Sequence, residues 1–141
     1  MDYKRGSILQ RKIYAIYNHM GIYDGRQVYH YQKSGKSISI VHTSLEAFAT
    51  GKEVRVHCEP KDAVHAKAIL KRAREAYKSK AWTNRYSLWL NNCEDFCASC
   101  YGEGMYRRLS QRGKTVVVMA VVAGMLMGLK KITKDDNKDL Y

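Results

Sequence analysis

Three of the four cysteines of this 141-residue chain lie within the stretch NNCEDFCASC at 91–100. Cys93 follows two asparagines, which are good helix N-caps, and precedes two acidic residues that favour a first helical turn. The pattern predicts a helix that begins at or beside Cys93. Unpaired N–H groups at a helix start stabilise a thiolate, although the acidic neighbours oppose this effect. Cys93 is therefore the candidate nucleophile, and we expect it to be the most reactive of the four thiols.

The other cysteines give weaker signals. Cys97 and Cys100 follow on the same predicted helix and are expected to be small buried hydrophobes. Their C-x-x-C spacing has no second pair downstream, which argues against zinc, and no βαβ context, which argues against thioredoxin-type chemistry. The charged residues after Met1 do not form a secretory signal, so the thiols are expected to stay reduced. The sequence predicts neither a bound metal nor a cofactor.

A second candidate group consists of two histidines in NHMGIYDGRQVYHY, residues 18–31. An Asp-Gly pair flanked by strand-forming residues is a strong hairpin signal. A two-residue turn at Asp24 and Gly25 would place His19 directly opposite His30 on one face of the sheet, with Cβ atoms ~5 Å apart. Such a pair suits a base with its orienting partner, or two metal ligands, and ordinary strand histidines are the alternative. No comparable geometry follows for His42, His57 and His65.

Hydrophobic patterning predicts the elements that position these side chains. Residues 12–31 form the hairpin, 37–42 and 53–58 alternate like strands, and 43–51 is a turn or short helix between them. A longer helix is predicted from Pro60, with a cationic face opposite an apolar stripe. Strands followed by helices predict an α+β domain. The stripe is formed by Ala66, Leu70, Ala73 and Tyr77, and the cationic face by Lys67, Lys71, Arg72 and Arg74.

Charge and hydropathy divide the chain into a domain, 1–112, and a tail, 113–141. With 25 basic and 13 acidic residues, the formal charge is +12. Such a chain suits anionic partners, and the absence of a nucleic-acid-binding motif favours an anionic membrane over nucleic acid. The apolar run at 115–129 would form a helix of ~22 Å, shorter than the ~30 Å hydrocarbon core. Basic flanks on both sides favour a C-terminal membrane anchor with the domain on the cytoplasmic side, and packing as core is the alternative.

The segments NHMGIYDGRQVYHY and LWLNNCEDFCASC, separated by a basic helix, resemble the H-box and NC-box of lecithin:retinol acyltransferase-like proteins. This family, also called NC-domain proteins, includes the phospholipase A/acyltransferase group, and the likeness covers about residues 6–104. The resemblance implies a circularly permuted papain-like domain, with a small antiparallel sheet packed on helices. The residues that it implies for catalysis are Cys93 as nucleophile, His19 as general base, His30 as its orienter and Tyr17 near the oxyanion.

The implied reaction transfers a fatty acyl group from a glycerophospholipid through an acyl-Cys93 thioester. Two departures from the family pattern, Asp95 where histidine is usual and a shorter turn between the histidines, leave the acceptor open among water, an amine and an alcohol. A papain-like cysteine peptidase or amidase and a non-enzymatic basic interaction module remain alternatives. Gly124 and Gly128 in the tail would allow two copies to associate as a homo-oligomer.

Overall fold

The computed structural model describes residues 2–14, 17–85 and 92–102, and its fold class is α+β, as predicted. The elements are β1 Ile8–Tyr14, β2 Tyr17–Tyr23, β3 Gln27–Ser34, β4 Ser37–Ser44, α1 Leu45–Ala49, β5 Val54–Cys58, α2 Ala63–Ser79 and α3 Cys93–Tyr101. The five antiparallel strands form one sheet in the order β4-β3-β2-β1-β5. The first strand, β1, is an element that the sequence interpretation did not separate from the hairpin.

Alternation of side chains along the strands gives the sheet two different covered faces. One face carries Met20 and Ile22 into the main core, where they pack against α2 and α3. The opposite face carries Leu9 and Val28, which pack under Phe48 of the short helix α1. The sheet is thus sandwiched between two helices on one side and one helical turn on the other.

The hairpin between β2 and β3 forms as predicted, but its register is shifted by two residues from the predicted one. Gly21 lies opposite His30 and Tyr23 opposite Val28, whereas direct pairing of His19 with His30 was expected. The physical reason is the Asp24 side chain, whose Oδ1 accepts hydrogen bonds from Arg26 N and Gln27 N. Asp24 is therefore the first residue of the turn and not one of its two central residues. The first central residue is Gly25, whose φ of 103° fits the position that a type II′ turn reserves for glycine.

The start of helix α1 agrees with the sequence-based prediction, and the start of helix α2 differs from it. Ser44 caps α1 by accepting a hydrogen bond from Ala47 N, within the start predicted for that helix. Helix α2 begins after Asp62, which accepts from His65 N, so the prediction that Pro60 opens it was wrong. The helix starts after Asp62 because the Asp62 carboxylate satisfies the backbone N–H of His65. Pro60 has no side-chain acceptor that could do the same.

Side chains of helix α2 bind the C-terminal end of α3. Within the predicted stripe Leu70 and Ala73 are buried, but Tyr77 is 42% exposed, so the stripe ends one turn early. Arg72 and His65 reach the carbonyl end of α3, where Arg72 donates to Cys100 O and Tyr101 O, and His65 Nε2 lies 3.2 Å from Tyr101 O. Basic groups at a helix C-terminus satisfy carbonyls without an intrahelical partner.

The predicted tail lies outside the described residues. The expectation of a membrane anchor at 115–129 therefore stays a prediction. Within residues 2–14, 17–85 and 92–102, no helix is long and apolar enough to cross a membrane.

Candidate active site

The β-sheet opens between β2 and β3, and the candidate catalytic residues meet at this opening. Pairing between the two strands covers only Gly21–His30 to Tyr23–Val28, although β3 remains paired with β4 along its whole length and β2 remains paired with β1. The sheet therefore divides into a β4-β3 half and a β2-β1-β5 half beyond Gly21. This interruption of the ladder, called the gap below, lies next to the start of β2.

Cys93 reaches this gap from the side of α3. Along an antiparallel ladder, every second pair of opposite residues is joined by backbone hydrogen bonds. The bond from Asp24 N to Gln27 O makes Ile22–Tyr29 one of these hydrogen-bonded pairs. The next hydrogen-bonded pair would be Met20–Tyr31. That bridge is not formed. The Cys93 thiol instead donates to Asn18 O at 3.8 Å, and the backbone N–H of Met20 is directed at the same sulfur. The thiol thus lies at the β2 backbone where β3 does not pair with β2.

The start of α3 is built by a capping box. The Asn92 side chain accepts from Glu94 N and Asp95 N, and Asp95 Oδ2 accepts in return from Asn92 N at 3.0 Å. Cys93 is therefore the first residue of the helix, as predicted. The box also gives Asp95 a structural purpose at the position where the family usually has histidine, because a carboxylate accepts the backbone hydrogen bond that closes the box.

The sequence left the net pKa shift of Cys93 open, because the helix start and the acidic neighbours act in opposite directions, and burial decides it. Burial raises the pKa of this thiol to about 11, and the charge of Glu94 adds to the effect. Hydrogen bonds from backbone N–H groups, among them that of Met20, act in the opposite direction but are outweighed. With an exposed fraction of only 1%, the sulfur lacks the water that a helix terminus at the surface would provide. The closed site therefore holds a neutral thiol.

The two histidines lie on the α1 face and contact each other, as the hairpin predicted. His19 Nε2 is 3.0 Å from His30 Nδ1, and the rings are nearly perpendicular at 85°. The contact is diagonal across the two strands, because a shift of two residues changes the partner but keeps the face. Gly21 permits it, since a Cβ at that position would lie 3.0 Å from His30 Cβ and 2.5 Å from Val28 Cγ1.

Both imidazoles are buried and neutral in the closed site. Burial, followed by the neighbouring His30, lowers the pKa of His19 to about 3. Burial also lowers the pKa of His30 to about 4. Phe48 packs against both rings at centroid distances of 5.5 and 5.2 Å, which excludes water from this side.

A chain of polar contacts leads from the His19 ring to β4. His30 Nδ1 lies 3.0 Å from Tyr31 O as well as 3.0 Å from His19 Nε2, and His30 Nε2 lies 2.8 Å from Thr43 Oγ1. Only one proton resides on the neutral His30 ring. If it is on Nε2, it is donated to Thr43 and His30 Nδ1 accepts from His19 Nε2–H, which leaves His19 Nδ1 unprotonated. A proton on His30 Nδ1 can instead be donated to Tyr31 O or to His19 Nε2, and donation to His19 Nε2 leaves the proton of His19 on Nδ1.

The predicted site residues are therefore brought together incompletely. His19 and His30 are in contact, and Cys93 lies against the β2 backbone on either side of His19, but no hydrogen bond joins Cys93 Sγ to His19 among the described residues. Tyr17, the first residue of β2, is half-buried. Its assignment near the oxyanion stays a prediction.

Arg11 is the residue of this site that sequence reasoning missed. It lies directly opposite His19 on β1, and its guanidinium carbon lies 5.9 Å from the centre of the Phe48 ring. A signal was present, because Arg11 alternates with Leu9 on the face of β1 that turns toward the histidines. It was not used because β1 was not recognised as a strand.

Within residues 2–14, 17–85 and 92–102, no three or more His, Cys, Asp or Glu side chains are grouped to hold a metal ion. The cysteines are free thiols, with Cys97 and Cys100 buried in the main core as expected.

A comparison with protein-family models finds one described as lecithin retinol acyltransferase, which matches residues 1–105. This range contains the paired histidines, the opened ladder and the capped start of α3. No curated protein matches the chain.

Proposed function

Because the chain belongs to the lecithin retinol acyltransferase family, whose members are typically acyltransferases, we propose a specific reaction for it. The protein takes a fatty acyl group from a glycerophospholipid through an acyl-cysteine intermediate. It then passes the acyl group to an acceptor, as an acyltransferase or, with water, as a phospholipase A-type hydrolase. The observation that carries the proposal is the position of the Cys93 thiol against the β2 backbone beside His19, whose ring contacts His30.

In the proposed first step, Cys93 is the nucleophile and His19 the general base. His19 Nε2 is engaged with His30, so Nδ1 is the atom that accepts the thiol proton as Sγ bonds to the ester carbonyl carbon. The tetrahedral intermediate then collapses with cleavage of the carbon–oxygen ester bond. His19 returns the proton to the leaving lysophospholipid oxygen, and the acyl group remains on Cys93 as a thioester.

In the second step, the acceptor attacks the thioester and regenerates the thiol. His19 takes the acceptor's proton and gives it to Sγ, so protons and bonds balance over the cycle. His30 acts as the orienter, because its unprotonated Nδ1 selects the His19 tautomer that carries its proton on Nε2. The backbone N–H groups at the start of α3, together with the Tyr17 hydroxyl, are proposed to stabilise the oxyanion.

The high pKa of the Cys93 thiol and the low pKa of the His19 imidazole mean that the closed site is not an ion pair. We propose that it opens toward the substrate, so that Sγ and His19 Nδ1 approach within hydrogen-bond distance only in the complex. Hydrogen bonds of unliganded active sites are often long and shorten on substrate binding.

The test is intact-mass measurement after mixing the protein with a short-chain phosphatidylcholine. We expect an increment of one acyl group on Cys93 within a single turnover, and none for Cys93→Ala or His19→Ala. Cys97→Ala is the matched control, because it removes a buried thiol of the same helix and should keep the increment. An increment on another residue, or no increment with any phospholipid, would show that the mechanism is wrong.

We also propose that the protein acts at an anionic membrane surface. Exposed basic side chains cluster around the start and the outer face of α2, and Val64 among them is 79% exposed. Cosedimentation with vesicles containing phosphatidylserine, but not with phosphatidylcholine vesicles, would support this proposal, whereas no cosedimentation with either would contradict it. The basic residues are Lys4, Arg5, Lys61, Lys67, Lys71 and Arg74.

A further inference from the structure

Arg11 is a half-buried cation whose charge is not matched by an acidic partner among the described residues. Its Nε is buried and has no hydrogen-bond partner among the described residues. None of the ion pairs found in residues 2–14, 17–85 and 92–102 includes Arg11. Buried N–H groups are almost always paired, so the buried Nε–H of Arg11 requires an explanation.

The position of Arg11 suggests what it is for. It lies directly opposite His19, and Phe48 contacts the guanidinium and both histidine rings. The Arg11 charge also interacts favourably with a thiolate at Cys93 and unfavourably with a protonated His19. The cation therefore lies within electrostatic range of every reacting group without being hydrogen-bonded to any of them.

We propose that Arg11 binds the phosphodiester group of the lipid substrate and thereby sets the specificity of the site for glycerophospholipids over neutral acyl esters. This inference rests on the proposed function of the same site. A guanidinium presents a planar set of donors that matches two phosphate oxygens, and the buried Nε–H of Arg11 becomes available to such a ligand when the site opens toward the substrate as proposed. In a glycerophospholipid only the glycerol backbone separates the phosphate from the ester carbonyl, which suits a cation one strand away from the catalytic histidine.

The competing explanation is that Arg11 serves the structure or the thiolate. A cation held over Phe48 contributes packing, and a positive charge near Cys93 favours ionisation of the thiol. Either role would affect all acyl substrates to the same degree. Substrate discrimination therefore separates the phosphate-binding role from both alternatives.

The experiment compares two soluble substrates with the same acyl chains, dihexanoyl-phosphatidylcholine and dihexanoylglycerol, below their aggregation limits. The measured quantity is the ratio of kcat/KM for the phospholipid to kcat/KM for the neutral ester. Arg11→Gln is expected to lower this ratio about 10- to 100-fold, the range expected for loss of a charge-assisted hydrogen bond. Arg11→Lys keeps the charge but not the planar donors and should give an intermediate ratio.

Arg26→Gln is the matched control, because Arg26 is an exposed arginine in the hairpin turn, and its ratio should equal that of the wild type. An unchanged ratio in Arg11→Gln, with both substrates slowed equally, would overturn the inference in favour of a structural or thiolate-stabilising role. If Arg11→Gln does not fold, Arg11→Lys carries the comparison.

A binding measurement separates failure of this inference from failure of the proposed function. Glycerophosphocholine, glycerol and inorganic phosphate are titrated into isotope-labelled protein while the His19 and Arg11 side-chain resonances are followed. Saturable binding of glycerophosphocholine to the wild type but not to Arg11→Gln supports the phosphodiester site even if no turnover occurs. Equal binding to both proteins, or saturation by inorganic phosphate alone, contradicts it.

Discussion

At the residue scale, the thiol of Cys93 and the imidazoles of His19 and His30 are neutral, so the positions of their protons decide what they can do. His30 has one proton and two competing partners, Tyr31 O at 3.0 Å and Thr43 Oγ1 at 2.8 Å. In the proposed mechanism, the tautomer that donates to Thr43 lets His30 accept from His19, which leaves His19 Nδ1 free as a base. Within that mechanism Thr43 is a positioning residue, because it acts through two imidazoles on a thiol that it does not contact.

Thr43→Val is expected to lower kcat about 10-fold with little change in KM. Valine preserves the shape of the side chain but not its oxygen, so His30 shifts its proton to Nδ1 and donates to Tyr31 O, at a free-energy bias of about 1.4 kcal/mol against the productive tautomer. Thr43→Ser, which keeps the hydroxyl, should restore the rate. Steady-state kinetics on a soluble phospholipid, together with ¹⁵N shifts of the His19 ring, measure both effects. An unchanged His19 tautomer in Thr43→Val would rule out this role.

At the scale of elements, the thiol is placed by two devices: the capped start of α3 and the opened β2–β3 ladder. The capping box between Asn92 and Asp95 fixes where the helix begins, and Arg72 anchors its other end. The ladder opens because β3 stays with β4 while β2 stays with β1, and the resulting gap admits Sγ to the plane of the sheet. An uninterrupted ladder would close off the thiol from the histidine face.

Asp95→Ala is expected to lower the free energy of unfolding by about 1 kcal/mol, because the backbone N–H of Asn92 loses its acceptor at the helix start. Asp95→Asn keeps an acceptor oxygen and should recover most of the stability. Urea unfolding followed by circular dichroism measures the difference. Equal midpoints for Asp95→Ala and the wild type would show that the box contributes nothing.

At the scale of the whole molecule, the two buried histidines link stability to pH. Their pKa values in the folded state, about 3 and about 4, lie below the value near 6.5 expected in the unfolded chain. The unfolded state therefore binds more protons below pH 6.5. The stability contributed by the neutral histidines is fully present above that pH and is lost progressively as the pH falls toward about 4 and 3.

Removing either histidine should flatten the acid limb of the stability curve. Near pH 5, His19→Gln and His30→Gln are each expected to reduce the slope of the unfolding free energy by up to about 1.4 kcal/mol per pH unit. His57→Gln is the control, because that side chain is exposed. Urea unfolding of the four proteins between pH 4.5 and 7.5 gives the slopes. Parallel acid limbs for all four would mean that the histidines are not buried in their neutral form.

Local signals in the sequence determined much of this protein. The order of strands and helices, the hairpin, the shared face of His19 and His30, and the position of Cys93 at a helix start all follow from residue types a few positions apart, because caps, turns and strand alternation are local effects. The family likeness was equally local, since two short boxes carried it, and the family match over residues 1–105 confirms it.

Only the tertiary structure decided how these parts meet. The shifted register followed from the Asp24 hydrogen bonds in the turn, and the opening of the ladder from a competition between strand partners. Burial decided the pKa of Cys93, which the sequence had left open, because the helix terminus that favours a thiolate in water lies in a packed core. Arg11 became part of the site only through its pairing opposite His19. Contacts between distant segments and the exclusion of water are properties of the assembled fold, so no short stretch of the sequence could specify them.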